Sequence, residues 1–187
     1  MRVEKSDELI VLIDEHGNEI GTAPKLASHH LQTPLHKAFS CYIFDENGRF
    51  LVTQRAKGKK VWPGVWTNSV CGHPGPDESD GTAIRRRVKV ELGMEVRNIL
   101  VVLPNYRYTT PPYEGIIENE ICPVYFAQAA SKMKRNPTEV ENASWVKWID
   151  YVEDMRANPD KYSYWAKDQL QKLAGNGVLA KYIAPKY

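Results

Sequence analysis

The sequence predicts an α/β chain in which a mixed β-sheet is sandwiched between helices. Three observations carry this expectation. Apolar, β-branched runs recur between turn signals, the first pair being "LIVLI" and "EIGTA" around "DEHGN". One stretch, Ser79 to Gly93, departs from the strand pattern with Ile84, Val88 and Leu92 four apart, the spacing of one helix face. Beyond "SWVKWI" the C-terminal part is polar and helix-prone. Strands interspersed with two or three helices pack as a sheet covered on both faces.

In chain order, Leu9–Ile13 and Glu19–Ala23 read as a hairpin, because Gly17 and Asn18 tolerate the positive φ of tight turns. "HKAFSCYIFD" and "RFLVTQR" enclose Glu46, Asn47 and Gly48, so two long strands are expected to pair antiparallel there, with Cys41 as core. The helix from Ser79 to Gly93 has Ser79 or Asp80 as its cap and Gly93 as its terminator. Strand patterns resume in "VRNILVVL" and "IIENEICPVYF", and "SWVKWI" is a further short strand. Pro34, Pro111, Pro112 and Pro137 mark loops.

The chain has 187 residues, close to the length of one domain, so a single domain over 1–187 is expected, with about 171–187 as a frayed tail. Its 42% hydrophobic and 26% charged composition, without a twenty-residue apolar span, points to a cytoplasmic protein with no membrane partner. A net charge of +2 without like-charged blocks gives no extended basic face for nucleic acid. The three cysteines are odd in number and widely spaced, which argues against a disulfide framework or a CxxC zinc site.

Glu118 and Glu120 lie two apart in a strand pattern and so project from one face. Their neighbours Ile116, Ile121, Val124 and Phe126 suggest a strand too buried for two bare charges, and a cation would relieve the repulsion. His29, His36 and His73 can supply further ligands, with His30 an open alternative to His29. Imidazole with carboxylate suits Zn, Mn or Mg-type ions, although ligands this scattered form no spacing motif. Arg87 and Glu91 share a helix face, by default as a modest ion pair. Cys71, in "WTNSVCGHPGPDES", is on composition alone a packing residue.

"GHPGPDE" from Gly72 to Glu78, followed by Arg86, Glu91 and Gly93, resembles the Nudix box, the loop–helix element whose glutamates hold Mg2+ against a diphosphate. Where Nudix hydrolases carry Arg-Glu and then Glu-Glu, this chain has Arg86-Arg87 and Val90-Glu91, which disfavours hydrolysis. "WPGVWTNSVCGHP", "RYTTPPYEGIIENEICPVY" and the early "K...HH...TPLHKAFS" resemble the type I isopentenyl-diphosphate delta-isomerases, a Nudix-fold family. That resemblance implies a Nudix-like fold and a redox-neutral isomerase that interconverts isopentenyl and dimethylallyl diphosphates without flavin.

By the same resemblance, Cys71 and Glu120 handle protons on opposite sides of the substrate, with Tyr108 assisting near Glu120. His29, His36, His73, Glu118 and Glu120 would coordinate one divalent metal, Mn2+, Zn2+ or Mg2+. Glu91 would bind a second ion, Mg2+, that bridges to the diphosphate. Lys25, Arg55, Lys59 and Arg87 would form a cationic clamp, and Trp165 would face a carbocation, with Tyr164 beside it where the family carries a less aromatic residue. A small prenyl diphosphate is thus the expected partner, and a monomer the expected state. A Nudix-type diphosphate hydrolase and a non-catalytic diphosphate-binding module are the alternatives; neither has a use for Cys71 opposite Glu120.

Overall fold

The computed structural model of the protein describes residues 8–184. The first hairpin forms as expected: β1 (Leu9–Ile13) pairs antiparallel with β2 (Glu19–Pro24), and Gly17 takes φ +84° in the turn. A short helix, α1 (Lys25–Ser28), leads to β3 (His36–Lys37), which pairs with β1 at Leu12. Two strands from further along complete this sheet, β9 (Arg107–Thr109) and β10 (Asn119–Ile121), in the order β2-β1-β3-β10-β9.

A second sheet holds β4 (Phe39–Phe44), β5 (Phe50–Arg55), β8 (Val96–Leu103), β11 (Val124–Ala129) and β12 (Val140–Val146), in the order β12-β5-β4-β11-β8. The expected single sheet is therefore two. The continuous strand expected over Ile116–Phe126 is also two, because Pro123 has no amide hydrogen to give to a ladder.

Period-two alternation along β4 sets the layers. Phe39, Cys41 and Ile43 pack on α2 (Asp80–Leu92) through Ala83, Ile84, Val88 and Leu92. Tyr42 and Phe44 face the opposite way, onto α3 (Trp148–Ala157), α4 (Tyr164–Leu173) and α5 (Leu179–Ile183). Helices thus cover both faces, as the sequence predicts. Each fully buried aromatic or aliphatic side chain here contributes roughly 1.5–3 kcal/mol of transfer free energy. Ser79 caps α2 by accepting from the Thr82 amide at 3.2 Å, and Gly93 ends it at φ +58°.

Two further expectations change. β4 and β5 pair only next to their turn, at Phe44 and Phe50, since β6 (Trp66–Thr67) and β7 (Val70–Gly72) enter between them. β6 takes the β5 ladder and β7 takes the β4 ladder. The strand expected in "SWVKWI" begins earlier, at Val140, and Trp148 already starts α3. Within the stretch expected to fray, Leu179 is buried in the core, and Tyr182 packs against Phe44 and Phe126 at 5.3 and 5.2 Å. The last stretch of that expected tail, 185–187, lies outside the described residues, as do 1–7. No helix among the described residues is long and apolar enough to cross a membrane.

Candidate active site

The five expected metal ligands converge where the two sheets meet. His29 follows α1, His36 lies in β3, His73 follows β7, and Glu118 and Glu120 bracket the start of β10. One donor atom each from His29, His36, His73 and Glu118 falls within 4.8 Å of the others. Glu120 joins through Oε1, 3.0 Å from His73 Nε2 and 3.5 Å from His36 Nε2. His30 is turned away, its Nδ1 accepting from the Gln32 amide.

The backbone fixes two of the imidazole tautomers. His29 Nδ1 donates to the Lys25 carbonyl at 2.6 Å and His36 Nδ1 to the Pro34 carbonyl at 2.9 Å, so each presents its Nε2 lone pair inward. The inward atoms then crowd one another: His29 Nε2 is 3.2 Å from Glu118 Oε2, and His36 Nε2 is 3.2 Å from His73 Nε2. Glu118 Oε2 is buried with no hydrogen-bond partner, as is His73 Nδ1. Burial lowers the proton affinity of His29, but Glu118 outweighs it and moves the ring upward. Burial and the Lys25 charge push His73 down to about 3, so it is neutral. Burial raises Glu120, yet His36 and His73 hold its carboxyl well below the usual range. Lone pairs meeting in a buried centre short of positive charge fit a divalent cation, and this donor set suits Zn, Mn or Mg-type ions.

Cys71 sits in β7 opposite Ser40 of β4. Its Sγ lies 3.0 Å from Asn68 Oδ1 and 3.3 Å from Ser40 Oγ. Burial pushes the thiol up to about 12, and the Glu120 charge adds to the rise, so Cys71 holds its proton at neutral pH. Cys41 is a buried core residue, as expected, and Cys122 is buried as well. Trp165, in the first turn of α4, donates Nε1–H to the same Asn68 Oδ1 at 3.3 Å. Trp62 meets its ring edge-on at 5.5 Å, and the Arg55 guanidinium lies 5.8 Å from it. Trp62 has φ +47°, a left-handed conformation that bulky residues rarely adopt, and Arg55 donates to the carbonyls on either side of it, Val61 and Trp62.

Tyr108 stands opposite Glu120 in the β9–β10 register, but no hydrogen bond joins them among the described residues. Glu120 Oε1 meets the histidines, and the Glu120 charge also reaches the Tyr108 phenol, whose ring lies 5.6 Å from Tyr106 and 6.3 Å from both Tyr164 and Trp165. Burial keeps the Tyr108 phenol far above its ordinary value and therefore protonated.

Of the expected cations, Lys59 and Arg87 meet at one carboxylate, Glu139, which spacing gives no reason to single out. Arg87 also holds Glu91 Oε1 through Nε at 3.0 Å and a terminal nitrogen at 2.6 Å. Arg55 points to Trp165, though its charge reaches Lys59. Lys25 pairs with Glu8 at 2.9 Å, and its charge reaches His73. Arg86 grips Glu78 with two hydrogen bonds and the His73 carbonyl with a third, which ties the loop after β7 to α2. Asn68, Ser40, Trp62 and Glu139 are the site residues that sequence reasoning did not single out. Asn68 does lie inside the quoted cysteine stretch, where a polar residue reads as part of a turn.

The NUDIX domain family model matches residues 34–166. Among solved structures, DR0079 from Deinococcus radiodurans superposes with a TM-score of 0.62 at 16% identity over 81% of this chain and 90% of that one, a likeness of fold. An isopentenyl-diphosphate Delta-isomerase of Agromyces mediolanus is 51% identical over 90% of this chain and 82% of its own length. The enzyme of that name from Clavibacter michiganensis is 49% identical over 89% and 86%, and that of Klebsiella pneumoniae is 42% identical over 95% and 96%. With that identity along nearly its whole length, on a NUDIX domain, the chain belongs to the isopentenyl-diphosphate delta-isomerase family.

Proposed function

We propose that the protein interconverts isopentenyl and dimethylallyl diphosphates by adding a proton at one carbon and removing one from another. One observation carries this reading: a half-buried neutral thiol, Cys71, lies within the field of an ionised carboxylate, Glu120, and shares an acceptor atom with the indole of Trp165. A diphosphate hydrolase has no use for that arrangement, and Arg87 and Val90 stand where its carboxylates would be.

A proton adds to the terminal methylene carbon, the electrons of the double bond form the new C–H bond, and the adjacent carbon becomes a tertiary cation. Loss of a proton from the carbon on its other side returns the electron pair as the new double bond. Cys71 and Glu120 divide these two transfers, one on each side of the alkene. Trp165 turns its ring face to the cation, and Trp62 and Tyr108 help to exclude water. His29, His36, His73, Glu118 and Glu120 would hold Mn2+, Zn2+ or Mg2+. Such an ion fixes the direction and proton affinity of the Glu120 carboxylate. Lys59 and Arg87 take the diphosphate with Arg55 and Lys25 adding charge, and Glu91 would supply a carboxylate to Mg2+. On this reading the protein acts as a monomer on a small, water-soluble substrate in the cytoplasm.

Incubation of the protein with isopentenyl diphosphate and Mg2+ in heavy water, followed by NMR, tests the proposal. Dimethylallyl diphosphate carrying deuterium is the expected product. Phosphate or pyrophosphate release would replace the isomerase by a hydrolase, and unchanged ligand would leave a binding module.

A further inference from the structure

We infer that Asn68 is a positioning residue: a single side-chain oxygen aims both the Cys71 thiol and the Trp165 indole, on the isomerase reading given above. Asn68 is completely buried between β4 and β5. Its Nδ2 donates to the carbonyls of Cys41 and Val70 at 3.2 and 3.1 Å. A reversed amide would set its oxygen against both of those carbonyl oxygens, so the orientation is fixed.

The opposite end is Oδ1, and three donors reach it: Thr67 Oγ1 at 2.9 Å, Cys71 Sγ at 3.0 Å and Trp165 Nε1 at 3.3 Å. An indole nitrogen can only donate, so the direction of the Trp165 bond is settled by chemistry. A chain of bonds settles that of Cys71. Tyr42 donates to Gln169 Oε1 at 3.0 Å, and Gln169 Nε2 donates to Ser40 Oγ at 2.8 Å. Ser40 is left with its own hydrogen, with Cys71 Sγ at 3.3 Å and Cys122 Sγ at 3.5 Å both in reach, and since the Asn68 carboxamide oxygen can only accept, the S–H of Cys71 points to it. The proton-bearing atom and the cation-facing ring are thereby held to one point.

Asn68 is not needed to tie β4 to β5, because the neighbouring Ser69 does that. Its hydroxyl accepts from the Ile43 amide at 2.8 Å and donates to the Leu51 carbonyl at 2.6 Å. Asparagine alone among similar side chains offers two donors to the carbonyls and an acceptor to the thiol and indole. Aspartic acid comes nearest: burial keeps it protonated, so it retains the acceptor oxygen and one donor.

The test compares the metal-loaded wild type with Asn68→Leu and Asn68→Asp, each checked for folding by circular dichroism. Loss of alignment at the reacting atoms is expected to lower kcat of Asn68→Leu by about 100-fold. The KM for isopentenyl diphosphate should stay within about threefold, because no diphosphate contact is touched. The indole N–H resonance of Trp165 should move in this variant, and Asn68→Asp should keep at least about a tenth of the wild-type kcat. A kcat for Asn68→Leu within about threefold of wild type, or a KM rising in step with the loss, would overturn the assignment. So would Asn68→Asp falling as far as Asn68→Leu. If Asn68→Leu does not fold, Asn68→Asp decides alone, a kcat below about a hundredth of wild type being the overturning result. A wild type that folds, binds metal and does not isomerise fails the functional reading itself, and this assignment with it.

Discussion

Stripping divalent metal from the protein is expected to lower its melting temperature by about 8–16 °C. The buried ligand atoms lie within 4.8 Å of one another, and two lone-pair contacts of 3.2 Å, His29 to Glu118 and His36 to His73, have no charge between them without an ion. An ion at about a thousand times its Kd stabilises the folded state by about 4 kcal/mol. For a chain of this size, each kcal/mol moves the midpoint by roughly 2–4 °C. Calorimetry with chelator, then with added Mn2+, Zn2+ or Mg2+, and elemental analysis of the purified protein read the effect directly. Below pH 6.5 the pH dependence has a fixed sign, because His29, raised from that value by Glu118, takes up its proton above it. His73 is pushed down to about 3 from 6.5 by burial and by Lys25, so between those values the unfolded chain takes up a proton that the folded one refuses. Stability of the metal-free protein therefore falls as pH drops from 6.5 toward 3, and Glu120, held below 4.5, acts in the same sense as pH drops further. A melting temperature indifferent to chelator and metal, or one that rises in the metal-free protein as pH drops from 6.5 toward 3, would refute the reasoning.

Gly93→Ala forces a side chain into φ +58° and its Cβ into the Lys134 carbonyl oxygen, so about 2–4 kcal/mol of stability should be lost in urea unfolding; an unchanged midpoint contradicts the cap. Because the Cys71 thiol is pushed from 9.0 to about 12, its alkylation by iodoacetamide at pH 8 should run about a thousandfold slower than that of a free thiol, as mass spectrometry of timed samples would show. Modification at the free-thiol rate would mean that Cys71 is not held in its protonated form. Arg87→Lys keeps the charge but loses the fork that grips Glu91 Oε1, so KM for the diphosphate substrate should rise about tenfold with kcat nearly kept. A KM at the wild-type level would remove Arg87 from the clamp.

The helix Asp80–Leu92 was legible because its own residues carry every signal: Ser79 to start it, Ile84, Val88 and Leu92 to face the sheet, and Gly93 to stop it. The alternation around Glu118 and Glu120 correctly put both acids on one face, as their shared approach to the histidines confirms. Alternation does not say which strand lies next door. Phe39–Phe44 and Phe50–Arg55 look like partners, yet Ser69 and Asn68 enter between them through side-chain bonds that mimic a strand, and short polar residues such as "TNS" carry no pattern for that. The candidate metal ligands were legible from residue chemistry only as an open set, and likeness to a family was needed to close it, because they come from four separate places in the chain and local spacing records nothing about such distances. Glu139 was invisible for the same reason, its meaning arising only when Lys59 and Arg87 reach it.

The geometry of the site follows from one interruption. β3 and β10 run parallel with His36 opposite Glu120, and β4 and β11 run parallel with Ser40 opposite Val124, so a single register continues across the junction of the two sheets. Ala38 donates to the Ile121 carbonyl and Ser40 to the Pro123 carbonyl, but Pro123 has no hydrogen to return, and the Cys122 amide turns instead to the Tyr106 carbonyl. On one side of this gap stand His36 and Glu120 of the candidate metal site; on the other stands Ser40, which meets Cys71. An unbroken ladder would draw both pairs into one continuous sheet, whereas the break sets the metal-directed acid and the thiol in different sheets with the aromatic residues alongside. Replacing Pro123 by a residue with an amide hydrogen supplies the missing donor. Pro123→Ala should therefore leave the protein folded while changing the spacing of Cys71 and Glu120. Turnover should fall, with metal content unchanged, by about the 100-fold that a displacement near 1 Å costs. Full activity in that variant would show that the spacing is set elsewhere.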